Sequence, residues 1–302
     1  MTIKIVIDTD PGIDDAMAIL FAHKSADLDI QGITTILGNA SLEGTTRNAL
    51  FLVERFGMDV PVFAGAQRPL ELPEAAPPSF VHGDDGLGNI DAPGPRLSVR
   101  DQTAAEYLSS ITAANPGEIT VVALGRLTNL ALALQLDPEL SDNVKNVVIM
   151  GGALGLNGIG GNVTPCAEAN IAGDPHAADI VFQSKLPLTM VGLDVTMKTL
   201  ITEDYMQSIR DQGGEIGEFI YEISRFYDSF HRETLNMTAF PVHDASAIAC
   251  VLHPELFQTD TGAIRVVTEG IASGQTIFAP ESASFSPGIW DDIPLKQVCI
   301  DV

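Results

Sequence analysis

Strand-like runs rich in β-branched residues alternate with amphipathic helical segments in the first 64 residues, and this order constrains the fold most strongly. Residues 3–7, 28–36 and 60–64 predict strands, while residues 14–23 and 43–56 predict the helices between them. A β-α-β-α-β order implies parallel strands with helices on both faces of the sheet. The sequence therefore predicts an α/β fold: an open, mostly parallel sheet with a Rossmann-like core and an active site at the carboxyl ends of its strands.

The alternation resumes after an irregular, proline-rich segment at residues 65–100, and a second irregular stretch covers residues 151–170. Further helices are predicted at residues 103–114, 129–135, 174–183, 202–210, 217–235 and 244–251, and further strands at residues 119–124, 144–150 and 188–191. Short strand candidates occupy the last 40 residues. No repeat or linker interrupts the pattern, so we expect one domain over residues 1–302.

The composition fits a globular protein, since 45% of the 302 residues are hydrophobic. The net charge of −24 argues against polyanionic partners, namely nucleic acids and anionic membranes. No apolar run is long enough for a membrane-spanning helix, and we expect no secretory signal, because residues 1–8 read as the start of a strand. The three cysteines, Cys166, Cys250 and Cys299, sit among apolar or small residues, and we expect them to be buried, reduced thiols in a cytoplasmic protein.

Four carboxylates cluster where the first predicted strand ends and the first helix begins: Asp8, Asp10, Asp14 and Asp15. Acidic residues are favoured at helix N-termini, which accounts for one or two of the four. Four of them at one strand tip repel each other unless a cation or protons neutralise them. Oxygen ligands favour a hard cation, Ca²⁺ or Mg²⁺. A metal beside carboxylates can activate a water for hydrolysis, but these residues alone do not identify the substrate.

The segment D-T-D-P-G-I-D-D-A at residues 8–16 resembles the N-terminal signature of the nucleoside hydrolases, the inosine–uridine-preferring N-ribohydrolase family. The resemblance continues in order through G-N at residues 38–39, H-G-D-D-G-L-G at 82–88, L-G-R-L-T-N at 124–129, M-G-G at 150–152, G-N-V-T-P at 161–165, A-E-A-N at 167–170 and P-V-H-D at 241–244. It implies the same α/β fold and the hydrolysis of the N-glycosidic bond of purine or pyrimidine ribonucleosides to free base and ribose.

The resemblance also implies a metal site. Ca²⁺ would be bound by Asp10, Asp15, Asp244 and the backbone carbonyl of Leu124. Asp10 would in addition be the general base that takes a proton from a metal-bound water. The substrate would be a small-molecule ribonucleoside, whose ribose 2′- and 3′-hydroxyls complete the coordination shell. Family members form homotetramers or homodimers, so the resemblance implies a homo-oligomer.

Substrate contacts are implied for seven residues: Asp14, Asn39, His82, Asn162, Glu168, Asn170 and His231. His243 would protonate the departing base, with His82 and His231 as alternative donors. Each of these residues also has an ordinary explanation. Asn39 and Asn162 follow glycines, as turn residues do. The others could cap predicted helices, as Glu168 and Asn170 could for the helix that starts near residue 174, or face solvent, as His82 in its glycine-rich loop and His231 could.

Two positions depart from the family pattern. Ala169 stands where family members often have an aromatic residue, and Arg126 stands where proline or glycine is frequent. Without this aromatic side chain, the resemblance does not determine which nucleosides are accepted. The motifs also do not identify the preferred nucleobase.

Two other functions fit parts of the sequence. Asp8 and Asp10 at a strand end are similar to the nucleophile motif of haloacid-dehalogenase-like, Mg²⁺-dependent phosphatases, although Gly12 occupies the position of the usual threonine or valine. A catalytically silent nucleoside- or sugar-binding protein is the other alternative. Loss of the base or the acid would mark such a protein, and both Asp10 and His243 are present.

Overall fold

A computed structural model of the chain describes residues 2–73, 75–285 and 287–302. Met1, Glu74 and Ser286, which belong to the expected domain, lie outside the described residues. The strands are β1 (Ile3–Thr9), β2 (Leu28–Thr35), β3 (Val62–Ala64), β4 (Ile119–Ala123), β5 (Asn146–Met150), β6 (Leu188–Val191), β7 (Leu200–Thr202), β8 (Ala239–Pro241), β9 (Gln258–Val266), β10 (Thr276–Pro280) and β11 (Lys296–Asp301).

The helices are α1 (Ile13–Lys24), α2 (Leu42–Arg55), α3 (Ser79–His82), α4 (Ala104–Ala114), α5 (Thr128–Leu136), α6 (Leu140–Asn143), α7 (Ala169–Gly173), α8 (Pro175–Gln183), α9 (Leu193–Thr196), α10 (Glu203–Gln212), α11 (Gly214–Glu233) and α12 (His243–Leu252). The predicted helices and the predicted strands before residue 258 are confirmed, with ends that shift by at most three residues. The short elements α3, α6, α7, α9, β7 and β8 were not predicted.

Within the described part of the chain, nine strands form one sheet in the order β10-β9-β11-β6-β5-β4-β1-β2-β3. Along the run β6-β5-β4-β1-β2-β3 of the sheet, each strand is parallel to its neighbours, and β11 is parallel to β6. Near the other edge, β9 is antiparallel to both β11 and β10. The predicted α/β fold with a mostly parallel sheet is therefore confirmed. β7 and β8 form a separate antiparallel pair.

The register of the central strands brings their carboxyl ends to one edge of the sheet. Asp8 in β1 pairs with Thr34 in β2 and with Ala123 in β4. Ala123 in turn pairs with Ile149 in β5. The segments that follow these four strands therefore start side by side, where ligand sites in open α/β sheets lie.

Alternation along the strands provides a core on both faces of the sheet. In β1, Ile5 and Ile7 pack into one apolar cluster, while Val6 packs into the cluster on the other face. Local capping sets the start of helices such as α8, where Asp174 accepts a hydrogen bond from Ala177 N at 3.1 Å and proline opens the first turn. This is the start that the sequence predicts.

Two further expectations can be compared with the structure. Cys250 and Cys299 are buried free thiols as expected, whereas Cys166, also free, is only half-buried because it lies in the loop before α7. Among the residues that the structure describes, no helix is both long and apolar enough to cross a membrane.

Candidate active site

A cavity of about 230 Å³ opens at the carboxyl ends of the strands. It is lined by ten of the residues singled out in the sequence: Asp14, Asn39, His82, Leu124, Asn162, Glu168, Asn170, His231, His243 and Asp244. Asp10 and Asp15 do not line the cavity, but both accept hydrogen bonds from Asn39, which does. The fold therefore brings all twelve candidate residues to one place.

Asp10 is buried directly after β1, and two glycines leave the space for its carboxylate. Its Oδ2 accepts a hydrogen bond from Asn39 N at 2.8 Å, while Oδ1 has no partner among the described residues. A Cβ atom at Gly38 would collide with Oδ2, and one at Gly125 would collide with Oδ1. A larger residue at either position would displace the carboxylate, which explains why both positions are occupied by glycine.

Three hydrogen bonds hold Asp15 in the first turn of α1. Oδ1 accepts from the Thr9 hydroxyl, and Oδ2 accepts from Gly12 N at 2.9 Å and from Asn39 Nδ2 at 2.8 Å. The N-terminus of a helix also favours a negative charge. Its hydrogen-bond donors therefore hold the Asp15 carboxylate in one orientation.

Three carboxylates converge beside the cavity: Asp14, Asp15 and Asp244 each offer an oxygen within 4.8 Å of the others. Burial, and after it the charge of Asp15, raises the pKa of Asp14 to about 8. Burial and the charges of Asp14 and Asp15 raise the pKa of Asp244 well above its usual range. Oδ1 of Asp14 has no hydrogen-bond partner among the described residues. Crowded, buried carboxylates with an unpaired oxygen fit a bound cation, and an all-oxygen set fits a hard one.

Asp8 makes a different set of contacts. Its Oδ1 accepts hydrogen bonds from Thr34 Oγ1 at 2.6 Å and from Asn129 Nδ2 at 2.7 Å. Burial raises the pKa of Asp8 to about 6. These bonds tie β1 to β2 and α5 below the strand tips.

The loop between β5 and α7 forms one wall of the cavity, and backbone amides fix its side chains. Glu168 accepts hydrogen bonds from Gly152 N and from Asn170 N, both at 2.9 Å. Glu168 therefore caps α7, the helix that the sequence pattern does not predict, and not the helix near residue 174. Asn162 Oδ1 accepts a bond of 2.9 Å from the first backbone amide of α7.

Asn170 extends from α7 to the ends of two strands. Its Nδ2 donates to the carbonyl oxygen of Leu124 at 2.7 Å and to that of Met150 at 3.1 Å. The alternative that Asn170 caps the next helix is thereby wrong, because its side-chain amide is bound to the strand ends.

Two buried histidines lie on the other side of the cavity. His82 Nδ1 accepts a hydrogen bond from Ile13 N at 3.2 Å, so in the neutral ring Nε2 carries the proton. His243 Nδ1 lies 2.8 Å from Thr196 Oγ1. Burial, followed by the charge of neighbouring histidines, lowers the pKa of His82 and of His243 to about 3. Both rings are therefore neutral at pH 7, and the alternative of a solvent-exposed His82 is wrong.

α11 supplies the third histidine together with aromatic residues that the sequence analysis missed. His231 Nδ1 donates to the Tyr227 carbonyl at 2.8 Å, and the His231 side chain is buried rather than on the helix surface. Ring centroids lie 4.3 Å apart for Tyr227 and His231, and 5.2 Å apart for Phe230 and His231. Phe80 packs on Phe230 with centroids 5.8 Å apart. Phe230 and His231 follow Tyr227 by three and four residues, the spacing of one helical face, and this pattern could have revealed both aromatic residues.

A family model described as inosine-uridine preferring nucleoside hydrolase matches residues 5–302. A probable uridine nucleosidase of Oryza sativa subsp. japonica is 42% identical over 275 residues, which are 91% of this chain and 84% of the relative. The pyrimidine-specific ribonucleoside hydrolase RihA of Escherichia coli O8 is 39% identical over 280 residues, covering 92% and 88% of the two chains.

Two solved structures are also similar to this chain. A plant nucleoside hydrolase aligns with a TM-score of 0.94 at 40% identity, over 99% of this chain and 94% of the other. A purine-preferring ribonucleoside hydrolase from Gardnerella vaginalis aligns with a TM-score of 0.90 at 33% identity, over 98% and 93%. Sequence and structure comparisons therefore agree over nearly the full length.

Proposed function

The chain belongs to the inosine–uridine-preferring nucleoside hydrolase family, and from this premise we propose that it hydrolyses pyrimidine ribonucleosides, with uridine preferred. It is a nucleoside N-ribohydrolase, which cleaves the N-glycosidic bond to give free base and ribose. The preference for uridine is supported by relatives at 39–42% identity whose names specify uridine or pyrimidine, while the purine-preferring structure is more distant at 33%. The observation that carries the chemistry is the group of buried, crowded carboxylates under the cavity.

We propose Ca²⁺ as the metal, held by Asp10, Asp15, Asp244 and the carbonyl of Leu124. The unpaired Oδ1 atoms of Asp10 and Asp14 support this choice, because a buried carboxylate oxygen without a donor gains from a cation. Asp14 lies close enough to Asp15 and Asp244 to share the same ion. The oxygen-only donor set suits Ca²⁺, which accepts six to eight such ligands in flexible geometry.

Asp10 acts as the general base in this proposal. Bound Ca²⁺ would supply a water molecule of lowered pKa. Asn39 N occupies only one lone pair of Asp10 Oδ2, so the carboxylate retains lone pairs for both the cation and the proton of the water. Cleavage of a glycosidic bond passes through a sugar with cation-like charge. The buried Asp14 and Glu168 would stabilise that charge, since prearranged electrostatics usually contribute most to catalysis.

Polar side chains around the cavity would hold the ribose. Asn39 Nδ2 is bound to Asp15, so its Oδ1 is left to accept a hydrogen bond from a hydroxyl group. Asp14 presents an unpaired oxygen on the same side, which suits the 2′- and 3′-hydroxyls. Asn162, Glu168 and Asn170 on the opposite wall would contact the remaining ribose atoms, since they line the same cavity.

His243 is the proposed acid for the leaving base, and His82 and His231 are the other histidines that line the cavity. Its position supports the role, because His243 directly precedes Asp244 and must lie near the ribose. Its lowered pKa makes the neutral ring the resting form at pH 7, so it would assist by sharing its single N–H with the departing base as negative charge develops there.

Three properties of the whole protein complete the proposal. Free thiols at all three cysteines support a reducing compartment, the cytoplasm. Release of free base and ribose suits nucleoside salvage. A homodimer or homotetramer follows the family resemblance.

A substrate panel tests the proposed activity. The protein is incubated with uridine, cytidine, inosine and p-nitrophenyl phosphate, and free ribose and inorganic phosphate are measured. We expect ribose from uridine with the highest kcat/KM. A higher kcat/KM for inosine would contradict the pyrimidine preference, phosphate release would support the phosphatase alternative, and no product at all would support a silent binding protein.

A further inference from the structure

Asn170 connects α7, at the end of the loop wall of the cavity, to the ends of β4 and β5. We infer that Asn170 is a positioning residue of the metal site, whose side-chain amide holds the Leu124 carbonyl in place as a Ca²⁺ ligand. The inference rests on the proposed function, in which that carbonyl is a metal ligand. It adds a role to Asn170 beyond the contact with ribose that the resemblance implies.

The donor atoms of Asn170 are already in use without any ligand. An amide nitrogen has two hydrogens, and Asn170 Nδ2 directs them to Leu124 O at 2.7 Å and to Met150 O at 3.1 Å. Met150 is the last residue of β5, and Leu124 follows the last residue of β4. One side chain therefore bridges the ends of two neighbouring strands.

The Leu124 carbonyl retains room for a cation after this bond is made. A carbonyl oxygen has two lone pairs, and the Asn170 amide occupies one of them. The other can face a metal ion, and the first then fixes the direction of the carbonyl. Leu124 lines the cavity together with Asp14 and Asp244, two members of the carboxylate group.

Asn170 is itself anchored. Its backbone N–H donates to Glu168 Oε1 at 2.9 Å, and Glu168 also accepts from Gly152 N at 2.9 Å. The bonds to Leu124 and Met150 use only the nitrogen of the side-chain amide, and its oxygen, Oδ1, is an acceptor. That oxygen is the atom left for a substrate hydroxyl, so the two ends of one amide serve the metal site and the ribose separately.

Asn162 offers a matched control. It lines the same cavity and is also an asparagine of the loop wall, but its side chain accepts a bond from the first amide of α7. Its hydrogen bonds reach no strand-end carbonyl among the described residues. A residue that only contacts ribose should behave as Asn162 does, whereas a positioning residue should change metal binding.

The experiment is a calorimetric titration of Ca²⁺ into chelator-treated protein without nucleoside. We expect Asn170→Ala to raise the Kd for Ca²⁺ by about 10–100-fold, the usual effect of removing a group that orients a metal ligand. Asn162→Ala should leave this Kd within about twofold of wild type and raise the KM for uridine. Excess Ca²⁺ should restore much of the lost kcat of Asn170→Ala.

Asn170→Leu, which keeps a similar volume without donors, provides a second variant if Asn170→Ala is unfolded in a thermal melt. Unchanged Ca²⁺ affinity in a folded Asn170 variant, with a raised KM, would overturn the inference and leave Asn170 as a ribose contact. If wild-type protein bound no Ca²⁺ at all, the proposed metal would be wrong, and the inference with it.

Discussion

The two sides of the cavity are built in different ways. The carboxylate floor, formed by Asp10, Asp14, Asp15 and Asp244, lies on strand ends and first helical turns. The aromatic wall, formed by Phe80, His82, Tyr227, Phe230 and His231, comes from α3 and α11. Floor residues such as Asp15 are held by directional bonds of 2.8–2.9 Å to backbone and side-chain donors. The wall is held mainly by ring contacts with centroids 4.3–5.8 Å apart, and Phe80 is 68% exposed.

Because they are built differently, we expect the floor and the aromatic wall to have different functions. Directional hydrogen bonds fix groups within a narrow geometry, which the chemistry of the ribose and water requires. Ring contacts tolerate shifts and suit different bases. The floor should therefore serve every ribonucleoside equally, while the wall should decide which base leaves easily. α12 joins the two sides, because it begins with His243 and continues with Asp244.

The largest effect should come from removing a ribose hydroxyl that the floor binds. If the metal and Asp14 bind the ribose hydroxyls, 2′-deoxyuridine leaves buried polar groups unpaired, and we expect its kcat/KM to fall by about 10⁴-fold relative to uridine. The measurement is base release from both substrates under the same conditions. Turnover of deoxyuridine within tenfold of uridine would contradict the assignment of the diol to the floor.

The next effect concerns Asp10. Asp10→Asn keeps the shape of the side chain but removes the base and one metal charge, so we expect kcat to fall by at least about 10³-fold. The loss should be the same for uridine and for p-nitrophenyl riboside, because both need the activated water. Near-normal turnover with metal still bound would assign the base to another residue.

His243 tests the assistance given to the leaving base, separately from the chemistry of the water and the ribose. A natural base gains from protonation as it leaves, whereas p-nitrophenolate is stable, so His243→Ala should lower kcat for uridine by about 10²–10³-fold and for p-nitrophenyl riboside by less than about tenfold. Equal losses on both substrates would mean that His243 positions Asp244. With no loss on either, His82→Ala and His231→Ala should be examined for the selective pattern.

The smallest effect is expected at the rim of the wall. Phe80→Ala removes one exposed ring that packs on Phe230, and an aromatic contact is worth about 0.5–1.5 kcal/mol, or about 2–10-fold in KM for uridine. The kcat for p-nitrophenyl riboside should not change. A loss of kcat on both substrates would show that Phe80 supports the floor as well.

Local patterns made the sheet and the floor predictable. Strand and helix periodicity lies within short windows, and three of the floor carboxylates, Asp10, Asp14 and Asp15, fall within one segment at a strand end. The family signature then joined Asp244 to them. Gly38 and Gly125 were visible as motif residues, but their collision with Asp10 requires the packed structure.

The wall was only partly predictable, because its members come from distant segments. His82 and His231 were recognised, but Tyr227 and Phe230 are also compatible with an ordinary core face of α11. On the other side of the cavity, α7 was missed because its five residues show too little periodicity, and its cap, Glu168, lies within the stretch, residues 151–170, that was expected to be irregular. Contacts between such segments depend on tertiary packing, which sequence periodicity does not report.

The most direct test of the floor is removal of its metal. After prolonged chelation, confirmed by elemental analysis, we expect ribose release from uridine to disappear and the melting temperature to fall, since an ion bound only by the folded state stabilises it. Adding Ca²⁺ should restore both properties. Full activity in protein shown to be free of metal would contradict the account.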